Sequence, residues 1–406
     1  MTFTRKYCYR RRQGRSLTER GERGMERDAM RNSPAGEVGI LTFHCSDNFG
    51  AMLQAYALKE HLRASGVAAD IVRYEPPFLT GRHWLIPYVP QKGLGRRLRY
   101  AAWGVWHNLQ AYQDFAARRA NMRRFRMDWL VDREQPKIWF LSGLKKLPYR
   151  CYVVGSDQIW NPNITCGLRR AYFGAFESGR KERVVAYGAS LGSASLPPEY
   201  ERQFLELVRH VDAVSVREAG AAPYVQRCFA GEVTAVLDPV FFLGKDAWQT
   251  VERPPEQKNY ILAYTTEPNR DMAEYVQALS HKTDLPVVEL RTGAAGVGVA
   301  AEADKTAGPA EFLGYVHHAA YVVSNSFHAA AFSILYEKQF LIFSHSQVNE
   351  RLASLLALHG LEDRLCPAGA GEITTSIHWP AVAARTAEAV KVSHKFLLKN
   401  VVGRLE

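Results

Sequence analysis

Short apolar runs alternate with amphipathic stretches along most of the chain, a pattern that predicts strands separated by helices. In "EVGILTFHCSDNFGAMLQAYALKEHLRASGVAADIVRYEPP" a β-rich run from Val38 to Phe43 meets a polar loop. Ala51, Leu53, Leu58 and Leu62 then mark a helix closed by Gly66, and Ala69 to Tyr74 forms a second strand. A strand, a helix and a strand in that order predict a parallel sheet, because parallel neighbours need a crossover. Further strands are expected at "CYVVGSDQ", "RVVAYGASLG", "DAVSVRE" and "TAVLDP", with a helix at Pro198 to Val211. A second α/β series follows with "YILAYTT", "PVVEL", "AYVVSNS" and "QFLIFS", and residues 376–402 predict a final amphipathic helix.

Two Rossmann-like domains facing a cleft fit this order. The first spans 37–244 and is interrupted by a helical insertion at 78–150. A polar linker with Pro254-Pro255 occupies 245–258, and the second domain, with the final helix, spans 259–406. Nearly every strand ends in small or polar residues, and in open α/β sheets ligands collect at those carboxyl ends.

Charge changes the picture only locally. The net charge of +11 over 406 residues resembles a nucleic-acid signature until it is divided. Residues 1–36 carry ten Lys/Arg against four Asp/Glu, and residues 78–150 carry fifteen against four, which leaves the rest net acidic. The first 36 residues predict a disordered basic tail. The insertion is rich in tryptophan (Trp84, Trp103, Trp106, Trp129) and has arginines at 96, 97, 99, 118, 119, 123, 124 and 126. Its plainer reading is a solvated helical cap over the cleft; its second is peripheral contact with anionic lipid. No nucleic-acid-binding module accompanies the charge, so no nucleic-acid partner is expected. An apolar run of about 18 residues, as a bilayer span needs, is missing from the sequence. The arginine-rich start lacks the apolar core of a signal peptide. Six scattered cysteines without a CxxC pair read as reduced thiols. A cytoplasmic protein is expected, with the inner face of the membrane as the place where the insertion would act.

The candidate chemistry sits at strand ends. In "YVVSNSFHAAAFSI" (321–334) an apolar run gives way to Ser324, Asn325, Ser326 and His328, and then to an Ala-rich helix. Free N–H groups at such a helix start favour an anion, which these side chains would help to hold. Ser326 as a plain helix cap and His328 as a half-buried packing residue is the bland alternative. "VVGSDQIWNP" places Asp157, Gln158, Trp160 and Asn161 beyond a strand, a set suited to hydrogen-bonding and stacking on a sugar; a simple turn is the alternative. Arg217 in "VSVREAGA" is able to bind an anion bidentately, or to pair with Glu218. Asp47 and Asn48 in "HCSDNFGAMLQ" repeat the theme, with a helix cap as the alternative.

In this order, "DNFGAMLQAYAL", "GSDQIWN", "AYGASLG", "VSVREAG", "VLDPVFFL", "GPAEFL" and "SNSFHAAAFSI" resemble the polysaccharide pyruvyl transferase family from about Val38 to Leu365. The resemblance implies a GT-B-like fold, phosphoenolpyruvate as donor and a cell-surface glycan or its lipid-linked precursor as acceptor. It places the family's essential histidine on His328 and its donor-binding arginine on Arg217. Many members carry Arg two positions before the histidine, where this chain has Ser326, and Gly after it, where this chain has Ala329. The phosphate contact of that Arg is then lost or passes to another basic residue.

The reaction so implied needs an acid, a base and cationic clamps. His328 is the expected proton-transfer residue, Arg217 the clamp and Lys338 a second cation. Asp157 and Asp47 are the candidate bases for the acceptor hydroxyl. The donor set is thus Arg217, Ser324, Asn325, Ser326, His328 and Lys338; the acceptor set is Asp47, Asn48, Asp157, Gln158, Trp160 and Asn161. No metal and no cofactor are expected. A glycosyltransferase of the same architecture with a nucleotide-sugar donor is the alternative enzyme, and a non-catalytic glycan- or membrane-binding protein is the alternative without chemistry.

Overall fold

The computed structural model describes residues 37–80, 112–176, 179, 182–292, 296–300, 303–344, 349–366 and 376–405. The basic tail and the stretch 81–111 of the insertion lie outside them. Residues 37–406 form one compact unit.

Two parallel six-stranded sheets organise it. The first has β1 (Val38–Leu41), β2 (Ala69–Ile71), β3 (Cys151–Gly155), β4 (Arg183–Ala189), β5 (Ala213–Val216) and β6 (Val233–Ala235), in the order β2-β1-β3-β4-β5-β6. The second has β7 (Ile261–Thr265), β8 (Val287–Arg291), β9 (Ala303–Asp304), β10 (Tyr321–Ser324), β11 (Gln339–Phe343) and β12 (Leu365–Cys366), in the order β12-β11-β10-β7-β8-β9. Strands such as β1, β3 and β7 are buried at every position, as expected where helices cover both faces of a parallel sheet. The strand order reverses between β1 and β3 in one sheet and between β7 and β10 in the other. Such reversals open a crevice at the carboxyl ends of the strands. This is a GT-B-like α/β arrangement of two parallel sheets, and both crevices line one cleft.

The helices that seat the cleft are α1 (Phe49–Ala64), α2 (Tyr112–Phe125), α3 (Lys245–Gln249), α4 (Pro309–His318), α5 (Phe327–Leu335), α6 (Asn349–His359) and α7 (Trp379–Asn400). Most of α1 is buried, because it lies between the halves: Phe49 stacks on Phe312 of α4 at 5.1 Å. A single apolar cluster accordingly includes Val38, Phe312 and Val401.

Three regions differ from the sequence expectation. The stretch 245–258 is anchored, not free: it contains α3, whose Trp248 is fully buried against Tyr56 and Phe332. Glu252 in the same stretch accepts from Tyr336 at 3.2 Å and meets His317 Nδ1 at 2.9 Å. The final helix α7 returns to the first half, where Ser393 Oγ accepts from Leu237 N (2.9 Å) and Arg183 Nε donates to Asn400 O (2.8 Å). The described part of the insertion is only half a solvated cap. Arg119, Arg123 and Arg124 are exposed, but Arg118 donates to Asp47 O (3.0 Å) and Arg126 to Cys45 O (3.1 Å), while Asn121 donates to Thr306 O (2.9 Å) in the second half. Helix α2 therefore acts as a strut between the halves: Arg118, with Arg126 just beyond the helix, ties it to the carbonyls of the β1–α1 loop, and Asn121 ties it to the second half. Among the described residues no helix is long and apolar enough to cross a membrane.

Candidate functional site

The cleft has a volume of ≈ 1020 Å³ and is lined from both halves. On the first half, Asn48 caps α1 by accepting from Ala51 N at 3.1 Å and also faces the cleft. On the second, Asn325 accepts from Thr266 N (2.8 Å) and Thr266 Oγ1 (3.1 Å), which ties the ends of β10 and β7 together at the reversal. Ser326 caps α5 through Ala329 N at 3.5 Å. His328, in the first turn of α5, crosses to the first half. Its Nδ1 lies so close to Gly50 at the start of α1 that a Cβ there would stand 1.8 Å from it, so only glycine fits. Its Nε2 is 3.6 Å from Asp238 Oδ2. Two helix N-termini, each a site of partial positive charge, thus meet around one imidazole.

Below that imidazole lies a cluster of charge. Arg217 pairs with Asp238 at 2.7 Å and stands 3.7 Å from Asp157 and 4.0 Å from Glu218. Burial would raise the Asp238 carboxyl, but His328 and Arg217 together hold it down to about 2. Burial works against the Arg217 cation, yet Asp238, Glu218 and Asp157 raise its pKa. Glu218, fully buried and accepting from Ser190 Oγ, is raised by burial against the pull of Arg217. Arg217 itself does not line the cleft; it lies beneath it.

The arginine that does face the cleft is Arg351 of α6. Its guanidinium carbon is 5.6 Å from the centre of the Phe327 ring, and that of Arg217 is 4.7 Å from the same ring. Burial, followed by the nearby Arg217, pushes the Arg351 pKa down to about 10, so the group remains charged at neutral pH. Arg351 Nε, His328 Nε2, Asn325 Nδ2 and Arg217 Nη2 are buried nitrogens without a hydrogen-bond partner. Buried donors left unpaired are costly; Arg217 Nη2 faces Asp157 at 3.7 Å beneath the cleft, and the three on cleft-lining residues together favour an anion.

The other sequence candidates separate. Asp157 lines the cleft, accepts from Gln158 N at 2.8 Å and faces Arg217. Gln158 and Asn161 line it too and are hydrogen-bonded to each other at 2.8 Å. Trp160 does not reach it: fully buried, it stacks on Phe173 at 5.1 Å and donates to Tyr172 O, so the neighbouring residues face the ligand space without it. Ser324 is a positioning residue, donating to Tyr264 O (2.5 Å) and accepting from Ser326 N (3.1 Å). Asp47 is 3.8 Å from Arg126 and outside the lining. Lys338 lies at the opposite edge of the sheet, where burial and Lys245 lower its pKa. Sequence reasoning missed Asp238, Glu218 and Arg351 as site residues. Asp238 stood in plain view after a strand in "VLDP"; Arg351, on a helix with ordinary spacing, had no local signal.

The family model described as polysaccharide pyruvyl transferase matches residues 48–347. No curated protein matches the chain. Solved structures similar to it include MnaA of S. aureus with UDP (11% identity, 88% of this chain and 90% of that one, TM-score 0.44). UDP-N-acetylglucosamine 2-epimerase of Rickettsia bellii is another (8%, 90% and 98%, TM-score 0.37). The E. coli heptosyltransferase WaaC with ADP is a third (11%, 87% and 99%, TM-score 0.39).

Proposed function

The chain belongs to the polysaccharide pyruvyl transferase family, and from that premise we propose that it moves the three-carbon unit of phosphoenolpyruvate onto two hydroxyls of a glycan, or of its lipid-linked precursor, as a cyclic ketal. The observation that carries this reading is the set of buried, unpartnered nitrogens on Arg351, His328 and Asn325 at the start of α5. They offer a dense anion such as phosphoenolpyruvate the donors it needs. Arg351, above the ring of Phe327, takes the place of the arginine that many members carry where this chain has Ser326. Arg217 orders the floor from below through Asp238.

The chemistry follows from the donor. Protonation of its methylene carbon makes the adjacent carbon electrophilic; one sugar hydroxyl adds there, the C–O bond to phosphate breaks, and a second hydroxyl closes the ring. The two hydroxyls give up two protons, one balancing the new methyl hydrogen and one leaving with phosphate. His328 is the proton carrier, because its imidazole is positioned between the anion donors and Asp238. Asp157 is the carboxylate that faces the cleft and accepts the proton of an acceptor hydroxyl. Arg351, Asn325 and the start of α5 stabilise the departing phosphate.

Calorimetric titration with phosphoenolpyruvate and, separately, with nucleotide sugars tests the donor. The expected result is phosphoenolpyruvate binding that Arg351→Met weakens. Binding of a nucleotide sugar without phosphoenolpyruvate binding would replace this reading with a glycosyltransferase.

A further inference from the structure

The two most exposed large apolar side chains among the described residues are neighbours: Trp139 is 57% and Phe140 is 67% exposed. They are not on a loose loop. Ile138 on one side is buried and bridges Tyr74 just beyond β2, donating to Arg73 O at 2.9 Å. Leu144 on the other side is fully buried, and Gly143 lies tight against Ile138. A segment pinned at both ends thus holds two aromatic rings out in water, at a cost that calls for a partner. Residues 137–150 carry Lys137, Lys145, Lys146 and Arg150 and no acidic residue; Lys137 pairs with Glu75 at 3.7 Å and Arg150 with Glu37 at 3.5 Å, so the charges used beside the rings are those of Lys145 and Lys146. Lys145 and Lys146 are exposed immediately after the short helix Leu141–Leu144.

We infer that this patch is a membrane-docking surface for anionic phospholipid. Aromatic rings at a headgroup boundary with lysines beside them satisfy both needs of such a surface, apolar burial and charge neutralisation. A second copy of this chain would bring lysines against lysines, whereas an anionic bilayer complements them. The patch stands at the carboxyl end of β2, the same edge of the first sheet on which the cleft opens. Docking there would set the cleft mouth beside the bilayer. The inference concerns binding alone and holds whatever reaction the cleft performs.

The test is flotation of the full chain with phosphatidylglycerol-containing vesicles and with phosphatidylcholine vesicles. Binding to the former is expected to exceed binding to the latter, and Trp139→Ser/Phe140→Ser to weaken it on the order of tenfold or more. Lys145→Ala/Lys146→Ala is expected to weaken it by about fivefold per lysine. Brominated lipid should quench part of the wild-type fluorescence, and that part should vanish in Trp139→Phe. Both aromatic side chains are exposed, so thermal midpoints should not move, and a variant that fails to fold is replaced by Trp139→Phe with the quenching readout. Absence of binding to anionic vesicles overturns the inference. Wild-type binding by the aromatic double variant also overturns it, by moving the contact to the basic stretches elsewhere. A dimer that this variant dissolves would make the patch an interface between copies instead.

Discussion

Two buried guanidiniums flank the same phenyl ring, and their surroundings are opposite. Arg217, from the first half, has three carboxylates within 4.0 Å, and its pKa rises. Arg351, from the second half, has no carboxylate at ion-pair distance among the described contacts, and burial drives its pKa down to about 10. A buried cation with its countercharge in place contributes to the fold, and one without it is left to attract a ligand. Position at a strand end left Arg217 open between binding an anion and pairing with Glu218, and the family resemblance made it the clamp. The geometry gives it the part of a keystone and gives the open valence to Arg351.

Arg217→Met should break this contrast most severely. It leaves Asp238 buried beside His328 alone, and loss of one partner of a buried pair costs about 3–5 kcal/mol. Denaturant unfolding should show a loss of that order; a loss under about 1 kcal/mol would mean that the carboxylates were not depending on it. Arg351→Met should do the reverse, leaving stability unchanged or raised, since it removes a desolvated charge. Its phosphoenolpyruvate affinity should fall between about tenfold and about a hundredfold, the range set by a charge-assisted hydrogen bond of about 1.5–3 kcal/mol. If the stability of Arg351→Met dropped as far as that of Arg217→Met, the distinction between the two would disappear.

Acid separates the cluster from the rest of the first half. His44, fully buried, donates from Nδ1 to Thr42 O, and burial followed by Arg126 lowers its pKa from 6.5 to about 4. The unfolded chain takes up this proton first, so stability is full above pH 6.5 and falls as the pH drops towards 4, by about 3 kcal/mol at most. His61, also lowered to about 4, acts in the same direction. Asp238 stays ionised until about 2, so its contribution persists through that window and is lost only below about pH 4. Two stages of acid destabilisation are therefore expected. His44→Gln should shrink the first by the share that His44 carries, leaving that of His61, and Asp238→Asn should shrink the second, leaving what the lowered Glu75 and Glu289 carboxyls contribute. A single transition untouched by His44→Gln would put the titrating group elsewhere.

Much of the fold was legible because each strand is a short, uninterrupted apolar run bounded by turn residues; Val38, Cys151, Ile261 and Tyr321 all begin strands where the pattern placed them. β9 and β12, two residues each, were too short to give a pattern. The return of α7 to the first half was invisible because an amphipathic helix does not say which surface covers it. That His328 and Asp157 line the cleft could be read from position alone, at strand ends. Trp160 misled because a tryptophan in a polar loop looks like a stacking platform, whereas here the backbone turns it onto Phe173. Arg351 could not be read, since its role depends on a contact between α6 and the ring of Phe327 that only the tertiary fold creates.

The smallest expected effect belongs to Lys338, and it sharpens the comparison by its absence. Helix α5 runs only to Leu335 and Glu337 turns the chain with a φ of 55°, so Lys338 stands past the end of the helix, at the edge of the second sheet opposite the cleft. There its backbone N–H donates to Ser333 O at 2.8 Å and closes α5. Its ammonium lies near Lys245 and Glu252, in the stretch that joins the sheets. Lys338→Ala should therefore leave phosphoenolpyruvate affinity within about twofold, and should change stability by no more than about 0.5 kcal/mol, as surface substitutions do. A large loss of affinity in Lys338→Ala would require a long-range coupling through α5 to His328. The donor-binding charge assigned to Arg351 would then have to be shared with a residue beyond the far end of α5.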